Sequence, residues 1–181
     1  MEIIEKLNNH DFPLKWANLH YFPESIAIKK EIYLINDKSL VDDLIIMFFT
    51  VFGSFKKNLY IYNESWWDFC LDTWDNNKDE HNYEIEGKSN ETKDYMQMLK
   101  GSYIENEFSG SCICNNWDKF LSIVLKCIVN HIAPYSPIFY SETKDFFFYF
   151  HHSGSIGLYY NNPNEAIDKI LKIANGEYEI R

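Results

Sequence analysis

The chain has 181 residues and a formal charge of −10, with 46% hydrophobic and 24% charged residues. That length suits one domain, with no linker, and can bury enough surface to fold without disulfides or a metal. The acidity argues against nucleic acid and anionic membrane, both polyanions, and favours a cationic partner.

The opening run MEIIEKLNNHDFPLKW has no basic start followed by an apolar stretch, so we expect no secretory leader. Residues 24–35 (ESIAIKKEIYLI) are rich in β-branched residues and predict a strand. Asp37 or Ser39 can then cap a helix carrying Val41, Leu44, Ile45, Phe48, Phe49 and Phe52 at helical spacing. Ile46, Met47 and Val51 make it apolar nearly all round, which predicts a central, deeply buried helix ended by Gly53. Residues 58–62 predict a short strand. Ser65 would cap a helix from Trp66 to Trp74, with Trp67, Leu71 and Trp74 on one face and Asp68, Asp72 and Asp75 on another. Residues 76–90 are polar and predict a loop; Glu91–Lys100 predicts a further helix, stopped by Gly101.

Residues 108–114 (FSGSCIC) predict a strand, and Asn115 or Asn116 caps a helix carrying Trp117, Phe120, Leu121, Val124, Leu125 and Ile128. That helix must end before Pro134. FFFYFHHSGSIGLYY predicts two strands joined by a Ser153-Gly154-Ser155 turn. In the final helix Asn162 is the expected N-cap, Pro163 the first residue, Glu165 the reciprocal cap and Gly176 the C′ residue. Its Ile167, Ile170 and Leu171 side should pack on the sheet that includes this hairpin. The expected class is α+β: a mainly antiparallel sheet with a C-terminal hairpin, packed against several helices.

Signatures of chemistry are thin. There is no GxxxxGK[ST] and no GxGxxG after a strand. Cys112-x-Cys114 with His151-His152 is the best metal candidate, but CxC is off the usual zinc spacing, and buried thiols explain it more simply. Cys127 and His131 are an i, i+4 pair near a helix C-terminus, where a thiol pKa is raised rather than lowered. Glu64, Asp68 and Asp72 could supply paired carboxylates, although one exposed helix face normally just solvates them. His151 and His152, adjacent in a strand, should point to opposite faces, so at most one would line any site. The expectation is no catalytic residue, no metal and no cofactor. Without a leader, Cys70, Cys112, Cys114 and Cys127 are expected as free thiols of a soluble, cytoplasmic protein. The longest apolar run, Leu44 to Phe52, is too short to span a membrane.

The acidic tract stands out. Between Glu64 and Asp94 ten acids face three lysines, a local balance of −7, and Trp66, Trp67 and Trp74 lie inside it. Aromatic residues are 18% of the chain, more than a core alone should need. The bland reading is a solvated helix and loop. The functional reading is a binding face, with Glu64, Asp68, Asp72, Asp75, Asp79 and Glu80 steering a cationic partner and Trp66 anchoring it.

The run WDKFL…APYSPIFY…FFFYFHHSGSIGLYY, between Phe108 and Ile173, resembles in style the immunity proteins of bacterial polymorphic-toxin systems, including those of contact-dependent growth inhibition. The resemblance implies an inhibitor that binds and neutralises a cognate toxin domain, often a nuclease with a basic surface. Those families share no portable set of binding residues, so none is transferred. The competing readings are a small enzyme with an unrecognised site and a structural or accessory binding domain. The oligomeric state is not written in the sequence.

Overall fold

The computed structural model describes residues 2–8, 11–35 and 38–181. In chain order the elements are β1 (Ile4–Lys6), β2 (Ile28–Tyr33), α1 (Leu40–Phe52), β3 (Tyr60–Asn63), β4 (Trp74–Asp75), β5 (Glu80–His81), α2 (Asn90–Gly101), β6 (Gly110–Cys114) and α3 (Trp117–Val129). They are followed by β7 (Ile138–Ser141), β8 (Phe146–His151), β9 (Ser155–Tyr160), α4 (Glu165–Glu177) and β10 (Glu179–Ile180). Eight strands form one sheet in the order β1-β6-β3-β7-β8-β9-β2-β10, and every pairing is antiparallel. β4 and β5 make a separate small hairpin. This is the expected α+β class.

Both faces of the sheet are covered, which explains the ring-rich composition. Alternation along β8 sends Phe146, Phe148 and Phe150 to the helical side and Phe147 and Tyr149 to the other. On the helical side Phe148 stacks on Phe52 of α1 at 3.9 Å between centroids and on Phe139 of β7 at 5.1 Å. On the other side Phe147 stacks against Trp16 at 5.5 Å and Tyr159 at 4.9 Å. The rings covering that face come from residues 11–27, with Phe12, Trp16 and Phe22 laid over it and the Trp16 indole N–H donating to Asp145. No element was expected there. Among the described aromatics only Tyr21, Trp74, Tyr103 and Tyr135 are exposed, so the core absorbs nearly all of the surplus.

The strands at 110–114 and 60–63 and the helices α2 and α3 fall where expected, the helices capped by Ser89 (accepting from the Thr92 N–H at 3.1 Å) and Asn116 (from Lys119 at 3.0 Å). Other expectations need correcting. α1 is one-sided rather than central: Leu44, Met47, Phe48, Val51 and Phe52 are buried while Ile46 is 58% exposed, because the sheet lies on one side only. Ser39 is its N-cap residue, and the Asp43 carboxylate takes the Ser39 N–H; Asp37 lies outside the described residues. The strand expected over 24–35 is confined to Ile28–Tyr33, and Phe22–Glu24 is a 3-10 turn.

The N-cap of α4 is Asn164, not Asn162. Its side chain accepts from the N–H groups of Ala166 and Ile167, which makes Glu165 the first helical residue. Gly176 lies inside the last turn instead of after it. Ile167 and Ile170 of α4 are buried in one cluster with Phe146, Leu158 and Tyr160 of the hairpin, with Leu171 packed against it, so the helix lies on the expected sheet, where it also meets α1 and the added strand β10.

The largest departure is 66–74, which is not a helix. The chain bends through Trp66–Cys70, makes a 3-10 turn at Leu71–Thr73 and enters β4. Trp66 and Trp67 are adjacent and both buried, and their indole N–H groups donate to different carbonyls, Gly110 at 3.0 Å and Ile104 at 2.9 Å. Those anchors override the helical spacing. The polar stretch that follows contains β5, paired back on β4 through a turn with Asp79 at φ 57°. Among the described residues no helix is long and apolar enough to cross a membrane.

Candidate functional site

The acidic residues singled out in the sequence separate into two groups. Asp68 and Asp72 tie the fold together. Asp68 accepts from the Tyr83 hydroxyl at 2.6 Å and from Ser65, with His81 Nδ1 at 3.3 Å. Burial and this bond push the Tyr83 phenol well up from its ordinary value. Asp72 accepts from the Ser89 N–H at 2.8 Å and the Thr92 hydroxyl at 2.5 Å, and so fastens the start of α2. Burial raises its carboxyl, but the bonds from Thr92 and Ser89 outweigh that and hold it below the ordinary carboxylate range. The two aspartates reach different partners and share no helix face.

Glu64, Asp79 and Glu80 are exposed, and Asp75, half-buried, caps its own turn by accepting from the Asn77 N–H. They leave a band of charge on the hairpin and at the end of β3. Trp66 does not anchor anything on this surface, because its ring is wholly buried beneath the segment. Trp74 is exposed instead, at 41%, with Leu71 at 56%. Leu71 opens the 3-10 turn and Trp74 follows it in extended backbone, with its ring edge-on to His81. Tyr135, 50% exposed, lies beside Leu71: the Leu71 N–H bonds to the Ile132 carbonyl at 2.8 Å, and Phe69 packs edge-on to the Tyr135 ring. Burial and the nearby Asp68 and Glu64 raise the Tyr135 phenol. Leu71 and Tyr135 line one cleft and Trp74 is exposed on the neighbouring hairpin, with Asp68 and Glu64 close enough to act on the Tyr135 phenol.

That cleft measures about 670 Å³, and the sequence did not signal it. It lies where α3, the 131–137 loop and the ends of β3 and β8 meet. His131, His151 and His152 all line it, against the expectation that the last two would diverge. Strand alternation does not apply, because β8 ends at His151 and His152 belongs to the turn. His131 holds a left-handed conformation (φ 57°) just past α3, and its ring sits 4.6 Å from that of His152. Proximity of residues 131, 152 and 63 is a product of the tertiary fold, with no spacing to announce it.

The remaining chemical candidates are buried thiols. All four cysteines are free. Burial pushes Cys114 up to about 12 and Cys112 higher still, while Cys127 is raised by Cys70, 4.0 Å away, and by burial. Protonated thiols in apolar surroundings are poor nucleophiles. Among the described residues no group of three or more His, Cys, Asp or Glu is placed to hold a metal ion. No protein-family model, no curated protein and no solved structure matches the chain.

Proposed function

We propose that the chain is an inhibitor of the immunity type, acting in the cytoplasm by binding and neutralising a cognate toxin domain with a cationic surface, such as a nuclease. The observation that supports this reading is the exposure of Leu71 and Trp74 inside a tract with a net charge of −7, with Tyr135 exposed beside Leu71. Aromatic anchors ringed by polar groups are the usual energetic centre of a protein interface. Carboxylates around them steer a basic partner and raise the encounter rate. Asp68 and Asp72 drop out of the binding set, since their oxygens are taken by the fold. Glu64, Asp75, Asp79 and Glu80 remain in it, and Trp74 replaces Trp66.

The test is surface-immobilised binding to the product of the gene that neighbours the one for this chain. Trp74→Ala should speed dissociation by roughly 30-fold, the kinetic equivalent of a hot spot of about 2 kcal/mol. Combining Glu64→Lys, Asp79→Asn and Glu80→Lys should slow association by about tenfold or more at low salt and flatten its salt dependence. A well-folded set of variants that leaves both rates unchanged would sink the reading.

A further inference from the structure

Two of the four free thiols touch: the sulfurs of Cys70 and Cys127 stand 4.0 Å apart. The Cys70 S–H is directed at the Cys127 sulfur, and the Cys127 S–H at the Glu91 carbonyl, 3.7 Å away. The pair joins elements of opposite character. Cys127 lies in α3, a regular helix whose Phe120, Leu121, Val124 and Leu125 are wholly buried. Cys70 lies in the irregular stretch before the turn at Leu71–Thr73, in extended backbone (φ −96°, ψ 130°). Both thiols are buried, yet they sit at the margin of the core. Leu71 and Ile128, the next residue on each side, line the cleft, and Glu91 belongs to the first turn of α2.

Two sulfurs already in contact become a disulfide by closing to about 2 Å. An irregular segment can supply that approach through small dihedral changes spread over several residues. A strand held on both sides cannot, and Cys112 and Cys114 are that case. They are two residues apart on β6, which is fixed between β1 and β3. Strand spacing puts their Cα atoms about 6.7 Å apart, at the outer limit of what a disulfide spans.

We propose that Cys70 and Cys127 are a redox pair, which a small peroxide converts to a disulfide that staples the acidic segment to α3. Cys70 reacts first, because it rides on the segment that can lift while α3 stays packed. Its sulfur takes one peroxide oxygen, the O–O bond breaks, and the other oxygen leaves with the thiol proton as water, which makes Cys70 a sulfenic acid. The Cys127 sulfur then attacks the Cys70 sulfur. The S–O bond breaks, and the hydroxide leaves with the Cys127 proton as a second water. Two thiols and one peroxide give one disulfide and two waters, and the pair loses two electrons. Burial makes the device conditional. Both sulfurs are screened from solvent while 66–74 is seated, so bridging follows the opening of that segment. The inference does not depend on the toxin reading, and no second protein enters its test.

The full chain is treated with hydrogen peroxide without denaturant, remaining thiols are blocked with N-ethylmaleimide, and tryptic peptides are read by mass spectrometry. A peptide pair joined through Cys70 and Cys127, lost on adding dithiothreitol, is expected, with Cys112 and Cys114 left as thiols. Hydrogen exchange at 66–74 should slow at least about tenfold in the bridged chain. Asp72→Ala, which unfastens the start of α2 beside the pair, should speed bridging by roughly fivefold or more. Cys70→Ser and Cys127→Ser should each abolish it, and the peptide map of the unsubstituted chain decides the matter if either variant fails to fold. The proposal is overturned if the 70–127 bridge is absent, if it forms only in urea, if Cys112 or Cys114 takes part, or if Asp72→Ala leaves the rate unchanged.

Discussion

Around Phe148 the chain is packed by rings; around Asp72 it is tied by carboxylates. In the sheet, Phe148 lies between Phe52 and Phe139, wholly buried, and its neighbours interdigitate from α1, β7 and β8. Between Glu64 and Asp94 two tryptophans are sunk as anchors, and the rest is fastened by Asp68 to Tyr83 and by Asp72 to the start of α2. Apolar packing is indifferent to protonation and weakly sensitive to salt, and its loss is felt everywhere the core reaches. A hydrogen-bonded carboxylate acts locally and only while ionised. The acidic segment can thus present charge to a partner without borrowing the rigidity of the sheet.

The contrast can be broken in several ways. Phe148→Ala should cost about 3–5 kcal/mol in urea unfolding and lower protection from hydrogen exchange across the whole sheet. Asp72→Ala should cost less, about 1–3 kcal/mol, because it orphans the Ser89 N–H and the Thr92 hydroxyl. Its effect on exchange should be confined to 64–94 and the first turn of α2; a loss spread evenly over the sheet would mean the two regions are one cooperative unit.

Acid should separate them too. The Asp72 carboxyl is lowered in the folded state, so its contribution is present above the unfolded value, about 3.9, and is lost as pH falls through the folded value. Exchange in 64–94 should therefore rise on going from about pH 5 to below pH 4, ahead of the β7–β8–β9 strands. Equal response of both regions would remove the distinction. The smallest effect is expected at the surface. Trp74→Ala should change stability by under about 0.5 kcal/mol, since the ring meets mainly His81, edge-on at 4.9 Å. A larger loss would make Trp74 part of the packing rather than an offered anchor.

Legibility in the sequence follows the same division. Helices α2 and α3 carry local periodicity and their own caps, and both were read within a residue or two. The aromatic hairpin was found with its turn one residue out, because Gly154 holds the left-handed position (φ 89°) near the end of His152–Gly154. The stretch 66–74 misled because the spacing of Asp68, Asp72 and Asp75 mimics a helix face, whereas the carbonyls of Ile104 and Gly110 decide where its tryptophans go. The acidic tract was legible as a run of charge and not as a surface: Trp74 is exposed where Trp66 is buried, and distant donors claim Asp68 and Asp72.

By itself the sequence determined the α+β class, the concentration of negative charge and the helices whose apolar stripes and caps are local, since periodicity and capping act over three or four residues. Only the tertiary structure decided which strand neighbours which, that residues 11–27 would roof the second face of the sheet, and that Asn63, His131 and His152 would line one cleft. Those outcomes depend on contacts between residues far apart in the chain, each a competition among many apolar and polar surfaces, and no short window of sequence contains both sides of such a contact.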